Sequence, residues 1–170
     1  PLIPRLKRAP DQNNPGYLEM DSITIYVNSR KYYFVTIIDI VTKFAWCRMT
    51  TSLSSRAAKE ALAEFISRYP YSVRVIQTDN GREFLGEFDQ CLMSLNFPHQ
   101  FIYPRSPEIN GVVERFNRTI QDEFLNRNQE LWINTKAFKL KLSGYFLLFH
   151  CIHCILTSLS FNYTHSLVSF

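Results

Sequence analysis

The sequence predicts an α/β fold in which a mixed, five-stranded sheet carries helices on its faces. Three segments rich in β-branched and aromatic residues come first, and helical and strand-like segments then alternate. The chain has 170 residues, of which 46% are hydrophobic and 20% charged, so it can bury a core and is too apolar for a disordered chain. The predicted order of elements is βββαβαβαα.

The first half of the chain predicts three antiparallel strands and a helix. The strands are expected at residues 17–27, 32–41 and 44–50, separated by short polar turns. Ser54-Ser55 then offers an N-cap, and small apolar residues recur at helical spacing until Pro70 stops the helix. These four elements form the first part of the predicted order.

The second half of the chain alternates strands and helices. A strand at 72–78 ends at Asp79-Asn80-Gly81, so it delivers a carboxylate into a turn. A helix at 84–95, a strand at 99–103 and a proline-framed loop follow. Two helices, predicted at 112–125 and 131–150, complete the order, and the first of them carries Glu114 on its first turns.

Charge and cysteine content limit the function classes. The chain carries 19 Lys and Arg against 15 Asp and Glu, a net charge of +4 that favours a polyanionic partner. Four unevenly spaced cysteines do not form a disulfide framework, and no secretory leader opens the chain, so we expect a cytoplasmic setting. Because Pro1 is followed by Arg5, Lys7 and Arg8, we expect residues 1–16 to be a basic linker from a missing N-terminal region.

The C-terminal segment is unusual because no Asp, Glu, Lys or Arg follows Lys141. Residues 145–159 are apolar but include two histidines and are shorter than the roughly 18 residues of a membrane span, so we expect no membrane role. Residues 149–170 are predicted to be an atypical, uncharged tail. Sequence drift explains its His150-Cys151-Ile152-His153-Cys154 cluster, and a zinc site is the alternative.

Three acidic residues, Asp21, Asp79 and Glu114, lie where a buried strand or helix favours apolar residues. An ionised carboxylate in an apolar pattern is unfavourable unless it is paired or binds a cation. The sequence therefore predicts a metal site if the fold brings the three together. The alternatives are that Asp79 is only a turn residue and that Glu114, beside Arg115, lies on a solvated helix face.

Three motifs in order resemble the retroviral-type integrase core of the DDE transposases of bacterial insertion sequences. They are Leu18-Glu19-Met20-Asp21, Gln77-Thr78-Asp79-Asn80-Gly81-Arg82-Glu83-Phe84 and the segment from Ser106 to Thr119, which contains Asn110-Gly111-Val112-Val113-Glu114-Arg115-Phe116-Asn117-Arg118. The separation of Asp79 and Glu114 is close to the interval that this family uses. The resemblance covers roughly residues 17–148, which we predict to be the catalytic core.

The resemblance implies a ribonuclease-H-like fold in which Asp21 lies on the first central strand, Asp79 ends the fourth and Glu114 projects from the helix behind them. It implies that these residues are catalytic and hold two Mg²⁺ or Mn²⁺ ions, with Asp21 bridging and Asp79 and Glu114 each holding one. The implied activity is DNA cleavage and strand transfer by a polynucleotidyl transferase, as in DNA integration and transposition. The implied partners are element ends, target DNA and further copies of the chain, at the bacterial nucleoid.

Residues that we predict to contact DNA surround these carboxylates. They are Arg82, Arg105, Arg115, Asn117 and Arg118. Arg118 is the principal one, because it follows Glu114 by about one helical turn and shares its helix face. An intrahelical Glu114–Arg118 salt bridge is the alternative, and Asn117 alternatively only caps a polar face. Asn110 and Gly111 are predicted to form a hinge before the helix.

Three further acids are not included in the predicted ligand set. Asp39 lies in Ile37-Ile38-Asp39-Ile40, and an acid here is usually structural in the resembled family. Glu19 shares a strand face with Asp21, and Glu83 lies near Asp79, so we expect both to support the ligands.

Two other functions remain open from the sequence. The first alternative is a catalytically inactive, DNA-binding relic of a transposase. It is suggested by the apolar residues 149–159, which replace a polar segment of the resembled family. A nuclease of the same fold that cleaves RNA–DNA hybrids is the other alternative. The motifs around Asp79 and Glu114 favour the transposase.

Overall fold

The computed structural model describes residues 5–6, 13–102 and 110–166, with side chains described at 13–102 and 110–152. The chain divides into two compact units, Pro1–Glu123 and Phe124–Phe170. Within its described residues the first unit contains six strands and three helices: β1 Arg5–Leu6, β2 Tyr17–Val27, β3 Arg30–Asp39, β4 Ala45–Thr50, α1 Ser55–Ile66, β5 Val75–Thr78, α2 Glu87–Ser94, β6 His99–Ile102 and α3 Gly111–Ile120. A 3₁₀ turn, Arg82–Phe84, precedes α2.

The strands form one mixed sheet in the order β1-β6-β5-β2-β3-β4. The pairs β2–β3 and β3–β4 are antiparallel, whereas β2–β5 and β5–β6 are parallel. The five predicted strands are confirmed. The sixth, β1, lies in the predicted linker and pairs in parallel with β6, because the edge of a four-residue strand offers backbone groups that any extended segment can bond.

Helices α1 and α3 pack on opposite faces of the sheet, as predicted. Glu19 and Asp21 of β2 accept hydrogen bonds from α3, which places α3 on their face. The neighbouring Met20 points to the other face, since successive residues of a strand alternate. Met20 pairs with Ile37 and Ile37 with Trp46, whose indole N–H donates to Glu64 of α1.

Several elements are shorter than the sequence predicts. Strand β5 begins at Val75 rather than at residue 72, because the chain first passes close to Gly16, where a Cβ atom would lie 2.3 Å from the Ser72 carbonyl oxygen. Helix α2 begins at Glu87, after the 3₁₀ turn. The helix predicted at 112–125 ends at Ile120 and gives way to a π-helical turn, Gln121–Leu125.

The second unit contains a 3₁₀ helix, Asn126–Leu131, and a long helix α4, Thr135–Ser166. Helix α4 starts four residues after the predicted start and continues through most of the predicted tail, because no proline interrupts it. Inside this unit the ring of Phe124 lies 5.7 Å from that of Phe138 and 5.0 Å from that of Tyr145. Within the described part of the chain, no helix is long and apolar enough to cross a bilayer.

Asp39, at the end of β3, is a fully buried structural carboxylate, as predicted for an acid at this position. Its Oδ2 accepts the Gly16 N–H at 2.6 Å and the Tyr69 hydroxyl, and its Oδ1 accepts the Val41 and Thr42 N–H groups at 2.7 and 2.8 Å. One side chain therefore joins the start of β2, the β3–β4 turn and the segment after α1.

Replacing Asp39 by Asn should lower the free energy of unfolding by about 3 kcal/mol, because an amide NH₂ would face N–H donors where an oxygen now accepts them. Urea unfolding followed by circular dichroism measures the change. The matched control is Glu87→Gln on the exposed side of α2, which should stay close to wild type. Equal stability of the two variants would contradict the structural role of Asp39.

Candidate active site

The parallel pairing of β2 and β5 places two of the predicted ligands side by side. Met20 pairs with Thr78, so the next residues along the two strands are Asp21 and Asp79. Both side chains are half-buried. Parallel strands end at one edge of a sheet, and this edge is where α/β proteins commonly place functional groups.

The Asp21 carboxylate is held in place by two donors. Its Oδ1 accepts the Ser22 N–H at 2.7 Å, and its Oδ2 accepts Nδ2 of Asn117 at 2.8 Å. The pKa of Asp21 is raised to about 6, mainly by burial and also by the negative charges of Asp79, Glu114 and Glu83, against the lowering effect of the Ser22 N–H. Asp21 therefore lies among acidic groups, and none of these groups forms an ion pair within the described residues.

Asp79 lies in the turn that follows β5. Its Oδ1 accepts the Gly81 N–H at 2.8 Å, and burial, together with the charge of Glu83, raises its pKa. A Cβ atom at Gly81 would lie 2.8 Å from both Oδ1 of Asp79 and Oε2 of Glu83, so a larger residue here would displace these two carboxylate groups. Glu83 accepts the Ser22 hydroxyl at 2.6 Å, which ties the turn to β2, as the supporting role predicted for Glu83 requires.

A buried polar chain behind Asp79 was not predicted from the sequence. The Thr78 hydroxyl lies 2.9 Å from the Asp79 carbonyl oxygen and 3.0 Å from Nε2 of His99. Nδ1 of His99 lies 3.1 Å from Oδ1 of Asp89 on α2. Burial lowers the pKa of His99, against the effect of Asp89. A lone histidine in a strand pattern carries no sequence signal of such a contact.

Glu114 lies in the first turn of α3 and is half-buried. Its charge contributes to the raised pKa values of Glu19 and Asp21, so Glu114 lies near both of these β2 carboxylates. The predicted alternative, a Glu114–Arg118 salt bridge, is not among the ion pairs of the described residues.

Glu19 anchors the start of α3 to the sheet. It is 1% exposed, and its Oε2 accepts the Val113 N–H, an N–H group of the first helical turn, at 2.8 Å. Burial raises the pKa of Glu19 to about 7, against the Val113 N–H and the charge of Lys43, which lower it. Glu19 therefore supports the position of Glu114, consistent with the supporting role predicted for it.

Asn110 and Gly111 stand at the N-terminal end of α3, where a hinge is predicted. Asn110 is buried, and its Oδ1 accepts Nε2 of Gln77 on β5 at 3.3 Å. Oε1 of the same Gln77 accepts the Tyr17 hydroxyl at 2.8 Å. Asn110 is thus fixed to the sheet by its side chain, whereas a Cβ at Gly111 would meet no atom within 4 Å.

The residues predicted to contact DNA divide into three groups. Arg82, Arg115 and Arg118 are exposed and form no ion pair within the described residues. Asn117 is only 7% exposed and bonds to Asp21, so the structure places it as a support of that carboxylate rather than at the surface. Arg105 lies outside the described residues.

The donor chemistry of this edge fits a hard divalent cation, because carboxylate oxygens are the ligands of Mg²⁺ and Mn²⁺. Burial and, after it, the charges of the neighbouring carboxylates raise the pKa of Asp21. In the described residues, no group of three His, Cys, Asp or Glu side chains is close enough to hold one ion. The side chains of His153 and Cys154, part of the alternative zinc cluster, lie outside the described residues.

Comparison with known proteins identifies the family. An integrase core domain family matches residues 11–107, more than half of the chain, and a second integrase core domain family matches residues 96–144. The chain belongs to the integrase core domain family, as the motifs around Asp21, Asp79 and Glu114 predict.

The matches to known relatives extend over most of this chain but over less than half of each relative. The chain is 29% identical to the "Putative integrase ORF3" of Spiroplasma virus SpV1-C74 over 89% of this chain and 48% of that protein. It is 28% identical to a retrovirus-related Pol polyprotein of a transposon of Nicotiana tabacum over 54% of this chain and 7% of that protein. The chain thus spans about half of the viral relative.

Solved structures show the same fold. The chain superposes on a subunit of the simian T-cell lymphotropic virus intasome with a TM-score of 0.65 and 21% identity, covering 83% of this chain and 51% of that one. The magnesium complex of the HTLV-2 integrase catalytic core, in its dimeric form, gives a TM-score of 0.60 at 21% identity, covering 78% and 87%. The fold is the ribonuclease-H-like fold of integrase catalytic cores.

The buried Glu19 predicts a pH dependence of stability. Its pKa rises from an ordinary value of 4.5 to about 7 on folding, so the folded protein binds this proton more tightly than the unfolded chain. The free energy of unfolding should therefore fall as the pH rises from about 5 to about 8 in the presence of a chelator. Glu19→Gln keeps an oxygen for the Val113 N–H without the charge, so it should weaken this fall.

Thermal unfolding of wild type and Glu19→Gln across this pH range measures the effect. Glu87→Gln is the matched control, since Glu87 is exposed and its loss of charge should leave the wild-type slope unchanged. A Glu19→Gln variant with the full wild-type pH slope would contradict the assignment.

Proposed function

We propose that this chain is the catalytic domain of a transposase or integrase that cleaves and transfers DNA strands with the help of divalent metal ions. The observation that supports it is the adjacency of Asp21 and Asp79 at the ends of β2 and β5, where burial and the charges of Asp79, Glu114 and Glu83 raise the pKa of Asp21. A fold accepts such uncompensated charge at a cost in stability, and a bound cation would remove that cost.

Asp21 would bridge two Mg²⁺ or Mn²⁺ ions, with Asp79 and Glu114 each holding one. In this arrangement each ion would be held by two carboxylates, one of them Asp21, so the three side chains need not meet around a single ion. When bound, the ions would activate the attacking oxygen and stabilise the leaving oxygen. The chain's own contribution is orientation: the amide of Asn117 fixes Asp21, the Gly81 N–H fixes Asp79, and the Glu19 carboxylate fixes the helix of Glu114.

The proposed substrate is duplex DNA at the end of a mobile element. Water would attack a phosphodiester bond and release a 3′-hydroxyl group, which would then attack a phosphodiester of the target DNA. Arg82 follows the Asp79 turn, and Arg115 and Arg118 lie on the helix of Glu114; their side chains are exposed, and guanidinium groups suit phosphate oxygens. The names of the viral and transposon relatives support this class of substrate. Because strand transfer joins two DNA segments, we propose that the active form is a homo-oligomer.

Glu114→Gln should abolish activity while preserving the fold. With Mn²⁺, nicking of duplex DNA or disintegration of a branched DNA substrate should fall on the order of 100-fold or more, since one ion would lose its carboxylate. Glu87→Gln, which removes the same charge from the exposed side of α2, should keep wild-type activity. Circular dichroism verifies the fold of each protein.

Equal inactivity of wild type, Glu114→Gln and Glu87→Gln, all folded, would contradict the proposal and favour an inactive relic of a transposase. Cleavage of an RNA–DNA hybrid in preference to duplex DNA would instead favour a nuclease of the same fold.

Mn²⁺ should stabilise the folded chain, because it binds the native carboxylates and not the unfolded chain. At an ion concentration of about 100 times Kd the gain in the free energy of unfolding is about 2.7 kcal/mol. Thermal unfolding with and without the ion measures it. Asp21→Asn should lose the stabilisation and Glu87→Gln should keep it; identical shifts in the two variants would mean that the ion binds elsewhere.

A further inference from the structure

The hairpin of β2 and β3 extends beyond the rest of the sheet. Strand β5 pairs with β2 only at residues 17–20, and β4 pairs with β3 only at residues 33–38. Residues 25–32, which we name the ribbon, are therefore paired only with each other among the described strands. Their turn is tight and of fixed shape, because Asn28 and Ser29 have φ angles of 49° and 63°.

The ribbon carries positive charge that the fold does not use. Arg30 and Lys31 are exposed and form no ion pair within the described residues, and no Asp or Glu occurs from residue 22 to 38. Lys31 lies 5.5 Å from the ring centre of Tyr26, which is 65% exposed. By contrast, Arg48 on β4 is paired with two glutamates of α1.

The strand register places the two cations on opposite faces of the ribbon. Tyr26 pairs with Lys31 and Val27 with Arg30, so each pair lies on its own face. A flat anionic surface would meet only one of the cations. A groove with a phosphate backbone on both sides would meet both, and the major groove of B-form DNA, about 12 Å wide, admits a two-stranded ribbon.

The ribbon starts from the candidate active site. Strand β2 runs from Asp21 toward the turn, and six residues at about 3.3 Å each put Val27 roughly 20 Å beyond Asp21. At about 3.4 Å per base pair, this distance equals about six base pairs of duplex.

We propose that the ribbon enters the major groove of duplex DNA about six base pairs from the phosphate held at Asp21, with Arg30 and Lys31 contacting the phosphates of its two walls. This rests on the proposed function, which supplies duplex DNA as the substrate. It adds a second contact region to the one formed by the arginines near the carboxylates. Charged residues that only keep an exposed strand edge from pairing with another chain would give no such contact.

The test compares two double variants with the same loss of charge. Arg30→Gln with Lys31→Gln removes the ribbon cations, and Lys59→Gln with Lys136→Gln removes exposed cations of α1 and α4. Binding of a fluorescent, random-sequence DNA duplex is measured by anisotropy in a chelator, between about 0.05 and 0.2 M salt. Without metal, the result does not depend on catalysis.

The ribbon variant should bind on the order of tenfold more weakly near physiological salt, and its slope of log affinity against log salt should be smaller by about 1.8, the value for two phosphate contacts. The control variant should keep the wild-type slope. On a wild-type complex, hydroxyl-radical footprinting should show protection about six base pairs from the Glu114-dependent nick.

Equal slopes for the ribbon variant and wild type would overturn the ribbon's role, and Glu114-dependent nicking by wild type would show that the proposed function nevertheless stands. An equal loss of DNA affinity in both double variants would also overturn the ribbon's role, since any exposed cation would then contribute as much. The ribbon substitutions should not weaken binding to an RNA–DNA hybrid, because the A-like major groove of a hybrid is too narrow to admit the ribbon. An equal loss of affinity for the hybrid and for duplex DNA would therefore also overturn the proposal. No duplex binding by wild type would overturn both proposals.

Discussion

The hydrogen bond from the Val113 N–H to the buried carboxylate of Glu19 joins helix α3 to the centre of the sheet, and the geometry of the candidate site depends on it. Glu114 follows Val113 directly, so its position relative to Asp21 is set by this anchor. A second bond, from Gln77 to Asn110, holds the residue just before the helix. Both contacts are buried, where an unpaired polar group is costly, so neither partner can move without a penalty. The site is therefore preorganised by side chains that do not themselves bind the proposed metal.

Two aspartates of neighbouring strands, Asp39 and Asp21, show how the surroundings of a carboxylate decide whether it serves the fold or the candidate site. Asp39 accepts four hydrogen bonds, which satisfy both of its oxygens and tie three segments together. Asp21 accepts two, and its pKa is raised by burial and by the charges of Asp79, Glu114 and Glu83. A carboxylate surrounded by donors stabilises the fold, whereas one surrounded by other carboxylates is relieved by a cation. The distinction comes from the neighbours of the two side chains and not from their local sequences, which are similarly apolar.

The positively charged residues also divide into those that stabilise the fold and those that are available to a partner. Arg48 is neutralised by two glutamates of α1 and belongs to the packing of β4 on that helix. Arg30, Lys31 and Arg118 have no ion-pair partner in the described residues. Cations that remain unpaired on the surface are free to exchange counterions for phosphates, which is the main source of affinity for nucleic acids. We therefore associate these positions with the proposed partner.

The sequence by itself determined the family, the fold class and most elements, because β-branched runs, helical periodicity and the spacing of three acidic motifs are properties of contiguous residues. It did not predict β1, the turn of π-helix after Ile120 or the bond from Asn117 to Asp21, and it placed Asn117 among the DNA contacts. It gave no sign of the contact between His99 and Thr78. Each of these features is a pairing between residues distant in the sequence or a response of a helix to its packing. Only the tertiary structure decided them, because it alone brings such residues within hydrogen-bond distance.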